Sequence, residues 1–162
     1  VLENVMVGRH TRTKSGILNA IFRGHAFKKE EQDTVDRAYD LLKEVGLEKH
    51  WKEEACNLPY GAQRRLEIAR ALATEPFLLF LDEPAAGMNP QETVELKELV
   101  LDLRERFNLS ILLIEHDMGM VMSLSDRIYV MEYGSRIANG TPDEIRHNPQ
   151  VIRAYLGESE NA

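Results

Sequence analysis

From Asp33 onward, apolar residues recur every three or four positions. Val35, Ala38, Leu42 and Val45 fall on one helical face, and Gly46 follows as a C-terminal cap. Residues 58–60 read as a turn. Residues 61–73 then repeat the helical spacing, with Leu66, Ile68, Ala69 and Leu72 available for burial. At residues 77–81 the pattern changes to a continuous apolar run, Phe-Leu-Leu-Phe-Leu, which predicts a short strand buried on both faces of a parallel sheet. A loop at 85–90 leads to a helix over 91–106 with Leu96, Leu99, Val100, Leu103 and Phe107 on one stripe. Residues 110–114 form a second apolar run, read as a second buried strand, which completes a strand–helix–strand unit. A short helix at 118–124, a third strand at 127–131, a turn at 132–135 and a return strand at 136–138 follow. Thr141-Pro142-Asp143-Glu144 is a capping box with proline at the first helical position. Asn148-Pro149 opens a last helix expected to end near Gly157. Before all of this, residues 1–30 mix Gly8, Gly16 and Gly24 with short apolar groups and read as one helix plus loops. The order is α/β: a mostly helical part, residues 1–73, leads into an α/β part, residues 74–162.

Composition sharpens this reading. Apolar residues make up 43% and charged residues 29% of 162, as in a globular protein able to build a core. Acidic residues outnumber basic ones by 27 to 20, for a net charge of −7, which argues against nucleic acid as the main partner. The charge is uneven: Arg9, Arg12, Lys14, Arg23, Lys28 and Lys29 share residues 1–29 with a single acid, Glu3. That stretch reads first as a solvated surface, and otherwise as a face for acidic headgroups or a partner's loop. The single Cys56 excludes an intrachain disulfide. The three methionines at 118, 120 and 122 and the leucines of 96–103 read as packing positions.

In open α/β sheets ligands bind beyond the carboxyl ends of the strands. The first strand delivers Asp82 and Glu83 to that end, and the second delivers His116. Such a set serves phosphoryl transfer: one carboxylate for hydrated Mg²⁺, a second for the attacking water, and an imidazole for a terminal phosphate oxygen. Taken singly, a strand ending in Asp-Glu-Pro is equally a polar turn, and a lone histidine is more often structural. A third motif changes the weighing: residues 57–72, Asn-Leu-Pro-Tyr-Gly-Ala-Gln-Arg-Arg-Leu-Glu-Ile-Ala-Arg-Ala-Leu.

With that motif the chain resembles the ATP-binding-cassette (ABC) family. Residues 58–62 resemble its signature segment, 78–83 its Walker B strand, 86–89 its D-loop, and His116 its switch histidine. Tyr60-Gly61, the run 64–68, the loop 85–90 and the ending Ala154-Tyr155-Leu156-Gly157 are similar to the ATPase subunit of bacterial branched-chain (hydrophobic) amino-acid importers. The resemblance implies a partial P-loop-NTPase-like parallel sheet with a helical signature subdomain over 1–73. It implies ATP and Mg²⁺ as cofactors, with Asp82 holding the metal through water and Glu83 and His116 as catalytic residues. Leu58, Pro59, Tyr60, Gly61, Ala62, Gln63 and Asn89 are the implied nucleotide contacts. The implied partners are a second ABC ATPase subunit and transmembrane permease subunits, docked through residues 1–56 at the cytoplasmic side of the bacterial inner membrane. The alternatives are a soluble, non-transport ABC ATPase and a non-catalytic interaction module.

Three departures stand out. Pro59 replaces the usual signature serine, Tyr60 and Ala62 replace a glycine and a glutamine, and Asn89 replaces an aspartate. Backbone N–H groups are therefore expected to supply most of the phosphate contact. No Gly-x-x-x-x-Gly-Lys-Ser/Thr loop occurs in the 162 residues. The opening residues 1–5 resemble the segment after the family's Q-loop, so the stretch is expected to be a C-terminal portion lacking Walker A. By itself it is expected to bind ATP weakly and not to hydrolyse it.

Overall fold

The computed structural model describes residues 1–12 and 25–156. Gly16 and Gly24, Lys14 and Arg23, and the expected helix end at Gly157 lie outside the described residues. Contacts divide the chain into two units, Val1–Leu112 and Leu113–Ala162.

In the first unit, α1 (Leu2–Arg9), α2 (His25–Glu44) and α3 (Tyr60–Leu72) pack on one another. The apolar stripe read from the sequence is largely the buried one: Ala38 and Leu42 on α2 with Val45 just after it, and Leu66, Ile68, Ala69 and Leu72 on α3, joined by Leu41 and Val5, while Val35 is half-buried. Each such leucine contributes about 2 kcal/mol through the apolar area it removes from water. Helix α2 starts earlier than the apolar periodicity, at His25. It ends as expected: Gly46 takes φ +70°, its N–H reaches the Lys43 carbonyl, and the Leu47 N–H reaches Leu42 at 2.7 Å. That double bond is a Schellman cap.

The basic N-terminal stretch is less of an open face than its composition implied. Arg9 donates to the Glu75 carboxylate at 2.7 Å, and Arg12 donates to the backbone carbonyls of Thr74 and Glu75. These carbonyls follow the end of α3, where C=O groups lack intrahelical partners and attract cations. The Arg9 hydrogen bond holds the Glu75 carboxyl below its ordinary value, with Arg9, Arg12 and Arg37 adding through their charge. A carboxyl lowered in the folded state stabilises above its unfolded pKa of about 4.3 and loses that contribution as pH falls through the folded value. Glu75→Gln is therefore expected to cost more stability at pH 7 than at pH 3, in denaturant titrations of the purified protein. The pair is half exposed, so the difference is roughly 0.2–1 kcal/mol. An equal cost at both pH values would refute the assignment.

The sheet of this region is small: β1 (Leu78–Asp82) pairs with β2 (Ser110–Ile114), parallel and connected by α4 (Pro90–Arg106). Leu96, Val100 and Leu103 of α4 are buried, with Leu99 and Phe107 partly so. The expectation that both strands are buried on both faces is corrected. Leu79 and Leu81 are buried, but Phe80 is 66% exposed, and Leu112 and Ile114 are about half exposed. The runs are apolar on both sides, yet among the described residues only one face is covered.

In the second unit, α5 (Met118–Leu124) is capped by Asp117, whose side chain accepts from Met120 N–H. Strands β3 (Ile128–Glu132) and β4 (Ser135–Gly140) form an antiparallel hairpin through Tyr133-Gly134, both at positive φ. A bulge between Val130 and Met131 shifts the register, and the return strand is longer than expected. Helix α6 (Pro142–Arg146) carries the expected Thr141/Glu144 capping box. The last helix is a single turn, α7 (Pro149–Val151), continued by a wider π-type turn, Ile152–Leu156. Ile128, Val130, Ala138, Ile145 and Val151 form the core of this unit, with Met118 and Met122 packed against it. Met120 is buried.

Candidate functional site

Asp82 ends β1, and Glu83 follows it; both are exposed. Glu83 takes φ +44°, a left-handed conformation uncommon for a non-glycine residue, so the chain reverses direction at this acid. The Glu83 carbonyl accepts from Ala86 N–H, and Ala85 from Met88 N–H, each at 3.1 Å. Pro84 is buried and anchors the turn, and Gly87 takes φ +77°. The loop closes on Asn89, which caps α4. Its side-chain oxygen accepts from Glu92 N–H at 3.0 Å, and the Glu92 carboxylate accepts from Asn89 N–H at 2.9 Å. The Asn-x-x-Glu spacing signals this capping box, a role the sequence reading did not assign.

The second part of the site in this unit is the start of α3. Leu58 is buried beneath it, and Pro59 occupies the N-cap position without a side-chain hydrogen bond. The first N–H groups of α3 thus have neither an intrahelical partner nor a side-chain cap, and they add to the positive end of the helix dipole. Gly61 is buried and Ala62 half-buried behind this end. Gln63 braces the turn, its backbone N–H donating to the Pro59 carbonyl at 3.0 Å and its side-chain amide to Leu58 at 2.8 Å. Arg64 donates to the Tyr60 hydroxyl at 2.8 Å and pairs with Glu67 at 2.8 Å. The hydrogen bond to Glu67, then that to Tyr60, keeps its guanidinium above its ordinary value. Its Nε is buried with no acceptor among the described residues. An uncapped helix start beside a glycine and a cation with a spare buried donor has the chemistry to receive a phosphate.

In the second unit His116 follows β2, with its side chain 72% exposed. Its neighbour Glu115, given no role in the sequence reading, is 1% exposed at the side chain; its carboxylate accepts from the His116 backbone N–H at 3.2 Å. No periodicity marks Glu115, because an acid at a strand end reads as solvated. A cleft of about 300 Å³ in this unit is lined by Glu132, Ile137, Gln150, Arg153 and Ala154, none of them a candidate site residue. No group of three His, Cys, Asp or Glu able to hold a metal occurs among the described residues. The residues fit hydrated Mg²⁺ through Asp82 alone, with the remaining ligands from water and phosphate oxygens.

The comparisons with known proteins decide the class. A family model described as "ABC transporter" matches residues 3–86, just over half of the chain. The chain belongs to the ABC transporter family. A second model, "Branched-chain amino acid ATP-binding cassette transporter", matches residues 135–161. The high-affinity branched-chain amino acid transport ATP-binding protein LivG of Salmonella typhimurium is 54% identical over 98% of this chain. BraF of Pseudomonas aeruginosa, described in the same terms, is 48% identical over 98% of it. The chain spans 62% of the length of each. A crystal structure of the ADP conformation of an ATP-binding cassette of an ABC transporter superposes with a TM-score of 0.76. It is 31% identical, over 96% of this chain and 62% of that one.

Proposed function

We propose that the full-length protein is the ATPase subunit of an importer for branched-chain, hydrophobic amino acids. The observation that carries this reading is the pairing, within one unit, of Asp82 and Glu83 at a strand end with the uncapped, glycine-bearing start of α3. Identity of 48–54% to transport ATP-binding proteins for these amino acids, and the family match over 135–161, support the solute class.

In this reading Mg-ATP, when bound, supplies the electrophilic terminal phosphorus and the counter-charge for its oxygens. Asp82 would hold Mg²⁺ through water. Glu83 accepts the proton of the attacking water; His116, in the second unit, keeps the role that the family resemblance implies for it, a hydrogen-bond donor to a phosphate oxygen. The backbone N–H groups of Tyr60, Gly61 and Ala62 hold the γ-phosphate of a nucleotide carried by a second subunit. Leu58, Pro59 and Gln63 keep that turn in shape, and Asn89 sets the approach of the following helix. Two subunits thus close on nucleotide and open on hydrolysis, which drives permease subunits docked on residues 1–56 at the cytoplasmic side of the membrane. Residues 1–73 act as the helical signature subdomain and 74–162 as the C-terminal part of the catalytic core.

The test is ATP-driven uptake into vesicles reconstituted with the full-length protein and its membrane subunits. Leucine, isoleucine and valine are expected to accumulate with ATP and not without it. Tight ATP hydrolysis with no uptake of any of the three would overturn the solute class.

A further inference from the structure

We propose that Tyr60 is a positioning residue that locks the signature turn to the loop after the Walker B strand, so that the two phosphate-handling segments of this subunit move as one body. The proposal rests on the ATPase reading above and deepens it. Its basis is a reciprocal packing of large side chains onto glycines. The Tyr60 ring lies over Gly87: a Cβ built on Gly87 would sit 3.4 Å from the ring's Cε1, 3.7 Å from Cζ and 3.8 Å from the hydroxyl oxygen. In the opposite sense, Glu92 lies over Gly61: a Cβ built there would sit 3.2 Å from its Oε1 and 3.5 Å from Cδ. Each segment therefore leaves one glycine open for the other segment's side chain.

Further contacts fix the clamp. Arg64 holds the Tyr60 hydroxyl at 2.8 Å and lies over its ring, 5.3 Å from the centroid, so the aromatic plane is set from α3. Glu92 is tied to Asn89 through the capping box, so its position is set from α4. One turn further along, Arg65 pairs with Glu95 at 3.3 Å across the same two helices. Gly87, at φ +77°, cannot be replaced by a side chain without strain, and the ring stands at van der Waals distance from where a Cβ would sit. Tyr60 stands where the family's usual glycine has no side chain. The lock is thus a property of this chain's own signature segment, and it offsets the mobility that a glycine pair would allow there.

The mechanical consequence is specific. The 58–63 turn holds the nucleotide of the second subunit, whereas Glu83 activates water at the first. Loosening Tyr60 should misplace Glu83 relative to the closed dimer and slow turnover without weakening Mg-ATP binding. In the full-length protein, Tyr60→Ala is expected to lower kcat at least tenfold, with KM for Mg-ATP changed less than twofold and an unshifted thermal midpoint. Tyr60→Phe, which keeps the ring over Gly87, is expected to recover kcat to within about threefold of the wild type. Equal losses for Phe and Ala, or a rise in KM matching the fall in kcat, would overturn the proposal. Glu83→Gln in the same preparations separates the two readings: if it leaves turnover intact, the ATPase reading fails, whatever Tyr60 does.

Discussion

Glu83→Gln in the full-length protein loses ATP turnover by about 10²-fold or more, the range expected when a general base is removed. The substitution is nearly isosteric, and Glu83 is an exposed turn residue at the end of β1, so the fold is retained. What changes is chemistry: an amide cannot accept the proton of the attacking water. Nucleotide binding persists, because Asp82 and the uncapped start of α3 are untouched. The expected species is a nucleotide-bound dimer that closes and does not reopen, seen as a doubled mass in size-exclusion chromatography with Mg-ATP and absent without it. Phosphate release checks the first half and the mass the second. Turnover within threefold of the wild type would remove Glu83 from the mechanism and favour a non-catalytic module, for which this substitution changes nothing.

Gly61→Asp is expected to abolish ATP-dependent dimerisation and to lower ATPase activity by at least 10²-fold. Helix propensity is not the cause, since an acid in the first turn of a helix is favourable. Two local effects act instead. Gly61 is buried, and the space beyond it belongs to the Glu92 carboxylate, so a second carboxylate there meets a like charge at close range. The same negative charge stands where the helix start would receive a phosphate. Gly61→Ala separates the two: its methyl meets the Glu92 carboxylate, 3.2 Å from Oε1, which need give by only a few tenths of an ångström, and brings no charge. It should cost less than tenfold. Equal defects for Ala and Asp would mean that packing, and not phosphate approach, is what the glycine protects. Thermal unfolding of both variants, read beside activity, identifies a loss that is merely structural.

Much of the architecture was legible in the chain. The stripe Leu66, Ile68, Ala69 and Leu72 is the buried face of α3, Met118–Leu124 is a helix, and Thr141 to Glu144 is a capping box. These are local facts. Periodicity of 3.6 residues reports which side of a helix avoids water, and caps are set by side chains three residues apart. The candidate acids were legible too, because Asp82 and Glu83 stand directly behind an apolar strand. Asn89 was half legible: its place in the loop was read, but its hydrogen bonds to Glu92 were not. Arg9 and Arg12 were read as surface charge and instead hold the end of α3.

The sequence by itself determined the order of elements, their amphipathic faces, the placement of two acids at a strand end and the family to which the motifs belong. Tertiary structure alone decided which apolar faces are covered, since Phe80 and Leu79 are equally apolar and only one is buried. It also decided that Tyr60 meets Gly87 and that Glu92 meets Gly61. The reason is physical. A residue's own chemistry and its near neighbours set its preference for water, but burial and contact depend on what another segment, distant along the chain, brings into the same space.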